Sequence, residues 1–257
     1  MQRIQSMVIV AMILTASVLA QPNPQLLQEL RKAAEAGKAS AQEALGAVYE
    51  LGQGVAQDYV ESVKWYRKAA AQGEPRAQYF LGLAYDLGRG VAQDYVESAK
   101  WYRRAAEQGL ANAQYRIGAM YHQGRGVAQD YVESAKWFRK AAEQGESRAQ
   151  HSLGLAYDGG KGVTQDEVES VKWFRKAAEQ GEPRAQLALG LAYDLGQGVV
   201  QDYVSAHMWF NLAASRASGE DQNKYAKARD TVAGKMTPEQ IAEAQKLARN
   251  WKPITKK

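Results

Sequence analysis

Apolar positions along this chain recur with a helical period, and the whole pattern then recurs every 36 residues. Within 77–112, Ala77, Leu81, Ala84 and Tyr85 stand at i, i+4, i+7 and i+8, a stripe down one face of a helix. Val96, Ala99, Trp101, Tyr102, Ala105 and Ala106 supply the apolar face of a second helix. Between them, Gly88-Arg89-Gly90 predicts a turn that needs positive φ. Asp94 is placed to cap the second helix, Glu97 to complete a capping-box-like pair, and Gly109 to stop the helix as its C′ residue. Pro75 and Pro183 fall at the start of first helices, where a missing N–H costs nothing.

Residues 41–76 are followed by copies at 77–112, 113–148, 149–184 and, with changes, from Ala185 onward, with no insertion or deletion. Self-similarity at such a period marks a repeat architecture. Gly46, Gly82, Gly118, Gly154 and Gly190 sit inside first helices, where each costs about 1 kcal/mol relative to Ala. That repeated cost predicts a close approach, and the small Ala-Ala pair of the second helix (Ala105 and Ala106) is the expected neighbour. Trp65, Trp101, Trp137, Trp173 and Trp209 are then expected to fill the gap between repeats. The repeated Asp58, Asp94, Asp130, Asp166 and Asp202 read as helix caps rather than a row of acids.

The ends depart from the pattern as end-caps should. Arg31-Lys32-Ala33-Ala34 and Gly37 lie one period ahead of Arg67-Lys68-Ala69-Ala70 and Gly73, so residues 21–40 read as a half-repeat, with Glu29 where Trp65 stands. In the fifth repeat Lys64, Lys100, Lys136 and Lys172 become Met208, and Lys68, Arg104, Lys140 and Lys176 become Leu212. Two apolar residues at i, i+4 need a cover. Residues 217–257 offer two helices for it, the second with Thr237 as N-cap, Pro238 first and Gln240 as capping-box partner.

Ahead of the repeats, Arg3, an apolar stretch over 7–19 and Val18-Leu19-Ala20 form a secretory signal over 1–20, with cleavage expected after Ala20. The stretch is shorter than the roughly 20 residues that span a bilayer, so membrane contact is expected only through this segment before cleavage. The mature protein is therefore expected in the periplasm or outside the cell. It has no Cys, hence no disulfide, and packing alone must stabilise it. Net charge is +5, but residues 211–257 carry ten Lys/Arg against five Asp/Glu, so the basic character belongs to the tail. Nucleic acid is not expected as a partner, because basic residues are not interleaved with exposed aromatics.

The recurring A-x-x-x-L-G-x-x-Y-x-x-G-x-G-V…D…A-x-x-W-x-x-x-A-A-x-x-G over about 41–216 resembles the Sel-one-like repeat (SLR) family, relatives of the tetratricopeptide repeats. The resemblance implies an all-α, right-handed α-solenoid of five helical hairpins between N- and C-terminal caps. It also implies an adaptor for protein complexes, as many members are in bacterial envelopes or in host interaction. Cysteine-rich relatives have been described as β-lactamase-like, which makes a hydrolase an alternative. Yet the chain holds no Ser-x-x-Lys, Gly-x-Ser-x-Gly, His-Glu-x-x-His or phosphate loop, so neither catalytic residues nor a metal or cofactor is expected.

In tetratricopeptide-like solenoids the first helices line the concave side. There the third, seventh and tenth positions of each repeat vary: Glu43/Ala47/Glu50, Tyr79/Leu83/Asp86, Tyr115/Ala119/His122, His151/Leu155/Asp158 and Leu187/Leu191/Asp194. Tyr79, Leu83, Tyr115 and Leu155 form an apolar patch, and His122 and His151 are expected in solvent beside it. Glu50, Asp86, Asp158 and Asp194 form an acidic ladder. Such a groove suits a protein or peptide segment with apolar anchors and Lys/Arg flanks. The convex side repeats a basic triplet, as in Lys100/Arg103/Arg104, and could meet an anionic polymer or polysaccharide. Glu97 and Glu107 lie near those charges, so a solvated, dipole-matched face is the simpler reading.

Overall fold

The computed structural model describes residues 23–254, and every regular element among them is a helix. The signal expected over 1–20 lies outside the described residues. The helices fall into two units. The first, Met1–Gln129, holds α1 (Pro24–Glu35), α2 (Ala39–Leu51), α3 (Tyr59–Ala71), α4 (Pro75–Leu87), α5 (Tyr95–Glu107) and α6 (Ala111–Gln123). The second, Asp130–Lys257, holds α7 (Tyr131–Glu143), α8 (Ser147–Asp158), α9 (Glu167–Glu179), α10 (Pro183–Leu195), α11 (Tyr203–Arg216), α12 (Gly219–Ala233) and α13 (Pro238–Asn250).

Each second helix opens on its aspartate. The Asp94 carboxylate accepts from the N–H groups of Val96 and Glu97 at 2.9 and 3.0 Å; Asp58, Asp130 and Asp202 act likewise, and Asp166 accepts from the Glu169 N–H alone. These bonds satisfy donors that a helix start leaves open. The expected capping-box role of Glu97 is not what forms. Its carboxylate turns to Lys100 at 2.6 Å, as Glu61, Glu133 and Glu169 turn to Lys64, Lys136 and Lys172. A lysine one turn on offers a full charge, which outcompetes a backbone N–H. The reciprocal box does form at α13, between Thr237 and Gln240.

Within a hairpin, the interior glycines meet aromatic rings. A Cβ on Gly82 would stand 2.8 Å from the Tyr102 ring, and one on Gly154 would stand 2.5 Å from Phe174. Tyr66 and Phe210 crowd Gly46 and Gly190 in the same way. This corrects the expectation that the Ala-Ala pair makes the close approach. The residue after each tryptophan reaches into the hairpin, while Trp65, Trp101, Trp137 and Trp173 stay half-buried and Trp209, against Trp251 of the tail, is buried. Trp65 packs on the cluster of Leu30, Ala34 and Leu45, and Trp101 on that of Val63, Tyr66 and Leu81, so each joins the repeat before it to its own first helix.

Three further contacts knit consecutive repeats within each unit. Gly90 has φ 71°, and a Cβ there would collide with the carbonyl of Tyr59 in the preceding repeat. Buried Gln42, Gln78, Gln114, Gln150 and Gln186 donate to the carbonyls of Ala34, Ala70, Ala106, Ala142 and Ala178 at 3.0–3.3 Å. The guanidiniums of Arg67, Arg103, Arg139 and Arg175 donate to the hydroxyls of Tyr85, Tyr121, Tyr157 and Tyr193 in the next first helix.

The tail covers the apolar departures of the fifth repeat from two sides. Leu212 is buried and Met208 half-buried in a cluster with Ala248 and Trp251 of the α13 end. Helix α12 packs Val232 against Ala206 and Phe210, and Tyr225 against Ala213 and Ala214. The expected cover of Met208 and Leu212 therefore comes from α13, while α12 seals the other flank of α11.

Candidate functional site

Most of what repeats in the sequence is occupied in holding the repeats together, which leaves the varying positions as candidates for function. On the second helices the basic residues are already engaged. In the second repeat Lys100 pairs with Glu97, Arg103 bonds the Tyr121 hydroxyl, and the Arg104 guanidinium lies 4.6 Å above the Trp101 ring. In the fourth, Lys172, Arg175 and Lys176 repeat the arrangement with Glu169, Tyr193 and Trp173. Cations already paired or stacked on rings in this way, though still exposed, offer less to a polyanion than their number suggests.

On the first helices of the first unit, the acids expected in a ladder are inward and paired. Glu50 accepts from the Tyr66 hydroxyl at 2.7 Å. Asp86 is only 5% exposed and holds Arg125 at 2.6 Å. It is not a rung of an open ladder, because the arginine of the next Gly-x-Gly turn draws it down. Buried Glu43 faces Arg76 at 3.4 Å, and its carboxyl is raised above the ordinary range by burial, against the pull of Arg76. Tyr79 is half-buried between Phe80 and Tyr102, at ring distances of 5.4 and 5.6 Å. Leu83 lines a small recess with Glu50, Tyr66, Phe80 and Arg89. Tyr115 is half-buried and His122 exposed.

One methylene changes the chemistry between neighbouring repeats. Glu50 reaches the hydroxyl of Tyr66, whereas the shorter Asp86, drawn to Arg125, leaves that of Tyr102 without a partner. The Nε groups of Arg116 and Arg125 are likewise buried and unpartnered. Burial pushes both tyrosine hydroxyls upward in pKa, so Tyr102 stays a protonated donor. Arg116 bonds Tyr79, which puts this guanidinium beside the tyrosine singled out from sequence. Sequence reasoning missed Tyr102, Arg116 and Arg125. A signal existed at Arg116, which stands where the other repeats have Ala44, Phe80, Ser152 and Ala188.

In the second unit the open character is apolar. Leu155 on α8 is 47% exposed, and Leu191 and Leu195 on α10 are 42% and 58% exposed. Asp158 is exposed, while Asp194 is taken by Lys235 of the tail at 2.7 Å. His151 is not in solvent as expected. It is half-buried with its ring 5.8 Å from Phe174, and burial, then the nearby Arg184, pulls its pKa down to about 4. The structure thus brings Leu155 to an open face and exposes His122 and Asp158, but it turns Asp86, Asp194 and His151 to internal partners. Among the described residues no three His, Asp or Glu stand together as a metal site, and no helix is long and apolar enough to cross a membrane.

Known proteins place this architecture. The Sel1 repeat pattern matches residues 39–74, 75–110, 111–146, 147–182 and 183–218, each beginning two residues ahead of the sequence units above. No curated protein matches the chain. Among solved structures, a protective antigen present in uropathogenic Escherichia coli strains and displaying an SLR fold is 36% identical, with a TM-score of 0.86 over 96% of this chain. The chain spans about half of that protein, 52% of its length. A Sel1 repeat protein from Oxalobacter formigenes is 31% identical, with a TM-score of 0.78 over 95% of this chain and 98% of that one. With five matched repeats and an all-α solenoid fold in common with these neighbours, the chain belongs to the Sel1 repeat family.

Proposed function

We propose that this protein is an exported scaffold that holds a segment of another protein against the open faces of its first helices. Sel1 repeat proteins serve as protein–protein interaction scaffolds. The finer reading rests on one observation: in the second unit Leu155, Leu191 and Leu195 stay open, while the repeated polar and aromatic residues are committed inside the fold. Exposed leucines at such positions are the usual anchors for a partner helix or strand. In the first unit Asp86 is already neutralised by Arg125, so Lys/Arg flanks on the segment are not called for at this end. Export rests on the apolar segment 7–19 and the small residues before Gln21.

A photo-crosslinking residue at position 155 or 191 of the full-length precursor, expressed in its host, tests this. The expected product is one discrete crosslinked protein, recovered with a mature chain beginning at Gln21. The same crosslinker at position 136, among the engaged lysines, should give no such band. Crosslinks from 136 and none from 155 or 191 would overturn the assignment of the face.

A further inference from the structure

The last second helix carries polar replacements that the docking of the tail does not explain. His207 stands where Val63, Ala99, Ala135 and Val171 stand, and Asn211 stands where Arg67, Arg103, Arg139 and Arg175 stand. Met208 and Leu212 on the same helix are accounted for by the cover that α13 provides. A valine at 207 would also have packed against the tail. Instead the imidazole is only 3% exposed, and its Nδ1 is buried without a hydrogen-bond partner. Native proteins seldom leave a buried polar group unsatisfied unless something else is meant to satisfy it.

That imidazole lines an open cleft of about 460 Å³ among α11, α12 and α13. Each helix contributes residues four apart, and therefore on one face: His207 and Asn211, Arg229 and Ala233, Gln245 and Arg249. Arg229 is held in place by Asp230 at 2.8 Å and Asn211 at 3.4 Å. Two guanidiniums against the single carboxylate of Asp230 leave the cleft cationic, and Ile241 gives it an apolar wall. Burial, then Arg229, lowers the pKa of His207, so the ring is neutral at pH 7 and can donate from Nδ1 in one tautomer.

We propose that this cleft binds a small organic carboxylate, its oxygens taken by Arg249 and Arg229 with help from the His207 imidazole, its carbon body against Ile241. Guanidinium pairs with carboxylate in a planar fork, and the apolar wall favours a carboxylate with a carbon body over inorganic phosphate. The carboxylate could belong to a free acid or to the carboxyl end of a peptide. This site is independent of the first-helix face.

The test uses the full mature chain labelled with ¹⁵N-histidine. Succinate and the peptide acetyl-Ala-Ala-Leu are titrated while the His207 ring nitrogens are followed, with succinamide and the amidated peptide as neutral counterparts. A saturable shift with millimolar or tighter affinity, absent from the neutral counterparts, is expected, and the tighter of the two acids identifies the source. By calorimetry, Arg249→Gln, a change at an exposed residue, should weaken binding by about tenfold or more. His207→Val, which restores the residue of the preceding repeat, should fold and lose most of the affinity. No saturable shift with either acid would overturn the proposal, as would equal binding by both variants.

Discussion

In the second unit, two faces of the same hairpins use their side chains differently. On the second helices, Lys172 goes to Glu169, Arg175 to the Tyr193 hydroxyl and Lys176 onto the Trp173 ring. On the first helices, Leu155, Leu191 and Leu195 have no such commitment and stand in solvent. The face that looks functional by charge is structural, and the face with few charges is the one left open. Repetition drives this contrast. Most residues copied into every repeat meet the same neighbour each time and build a lattice, although Val60, Val96, Val132 and Val168 recur and stay exposed. A residue that changes from repeat to repeat is released from that lattice.

The contrast can be broken most severely from within the lattice. Phe174→Ala removes the ring that fills the space beside Gly154 and should cost about 3–5 kcal/mol. Trp173→Ala, one residue earlier, should cost about 2 kcal/mol, because that ring is half-buried. Urea unfolding of both variants orders them, and a larger loss at Trp173 would contradict the placement of the two rings.

A second effect depends on pH. His151 has a folded pKa near 4 against an ordinary value of 6.5, so the unfolded chain binds the proton more readily. Its neutral ring gives full stability above about pH 6.5, and that contribution is lost as pH falls from there towards about 4. Thermal melts should show the parent losing more stability over this range than His151→Leu. Equal losses would place His151 in solvent. The smallest effects belong to the surface. Lys172→Ala and Leu155→Asp should each change stability by less than about 0.5 kcal/mol. A large loss at Leu155 would mean that it belongs to the lattice and not to the open face.

The repeat, its two helices and their aspartate caps were legible because each rests on local chemistry: a 3.6-residue stripe, a short carboxylate before it, a glycine after it. The cover over Met208 and Leu212 was legible as a break in a pattern. Which of two adjacent aromatics faces a glycine was not, since Trp101 and Tyr102 are both apolar and lie on neighbouring bearings of one helix. The burial of Asp86 was hidden for a related reason. Its partner, Arg125, lies 39 residues away in the next repeat's turn, and no local rule links them. His207 was visible as a lone histidine, but only the cleft around it gives it neighbours.

The most direct test of the scaffold assignment is the affinity of the crosslinked partner, once purified, for three forms of the mature protein. These are the parent, Leu155→Asp/Leu191→Asp on the open face, and Lys136→Glu/Lys172→Glu on the engaged one. The leucine pair should lose about a hundredfold or more in affinity, on the scale of two central apolar anchors, while the lysine pair stays within a few-fold of the parent. Unchanged binding by the leucine pair together with loss in the lysine pair would contradict the assignment and move the site to the second helices.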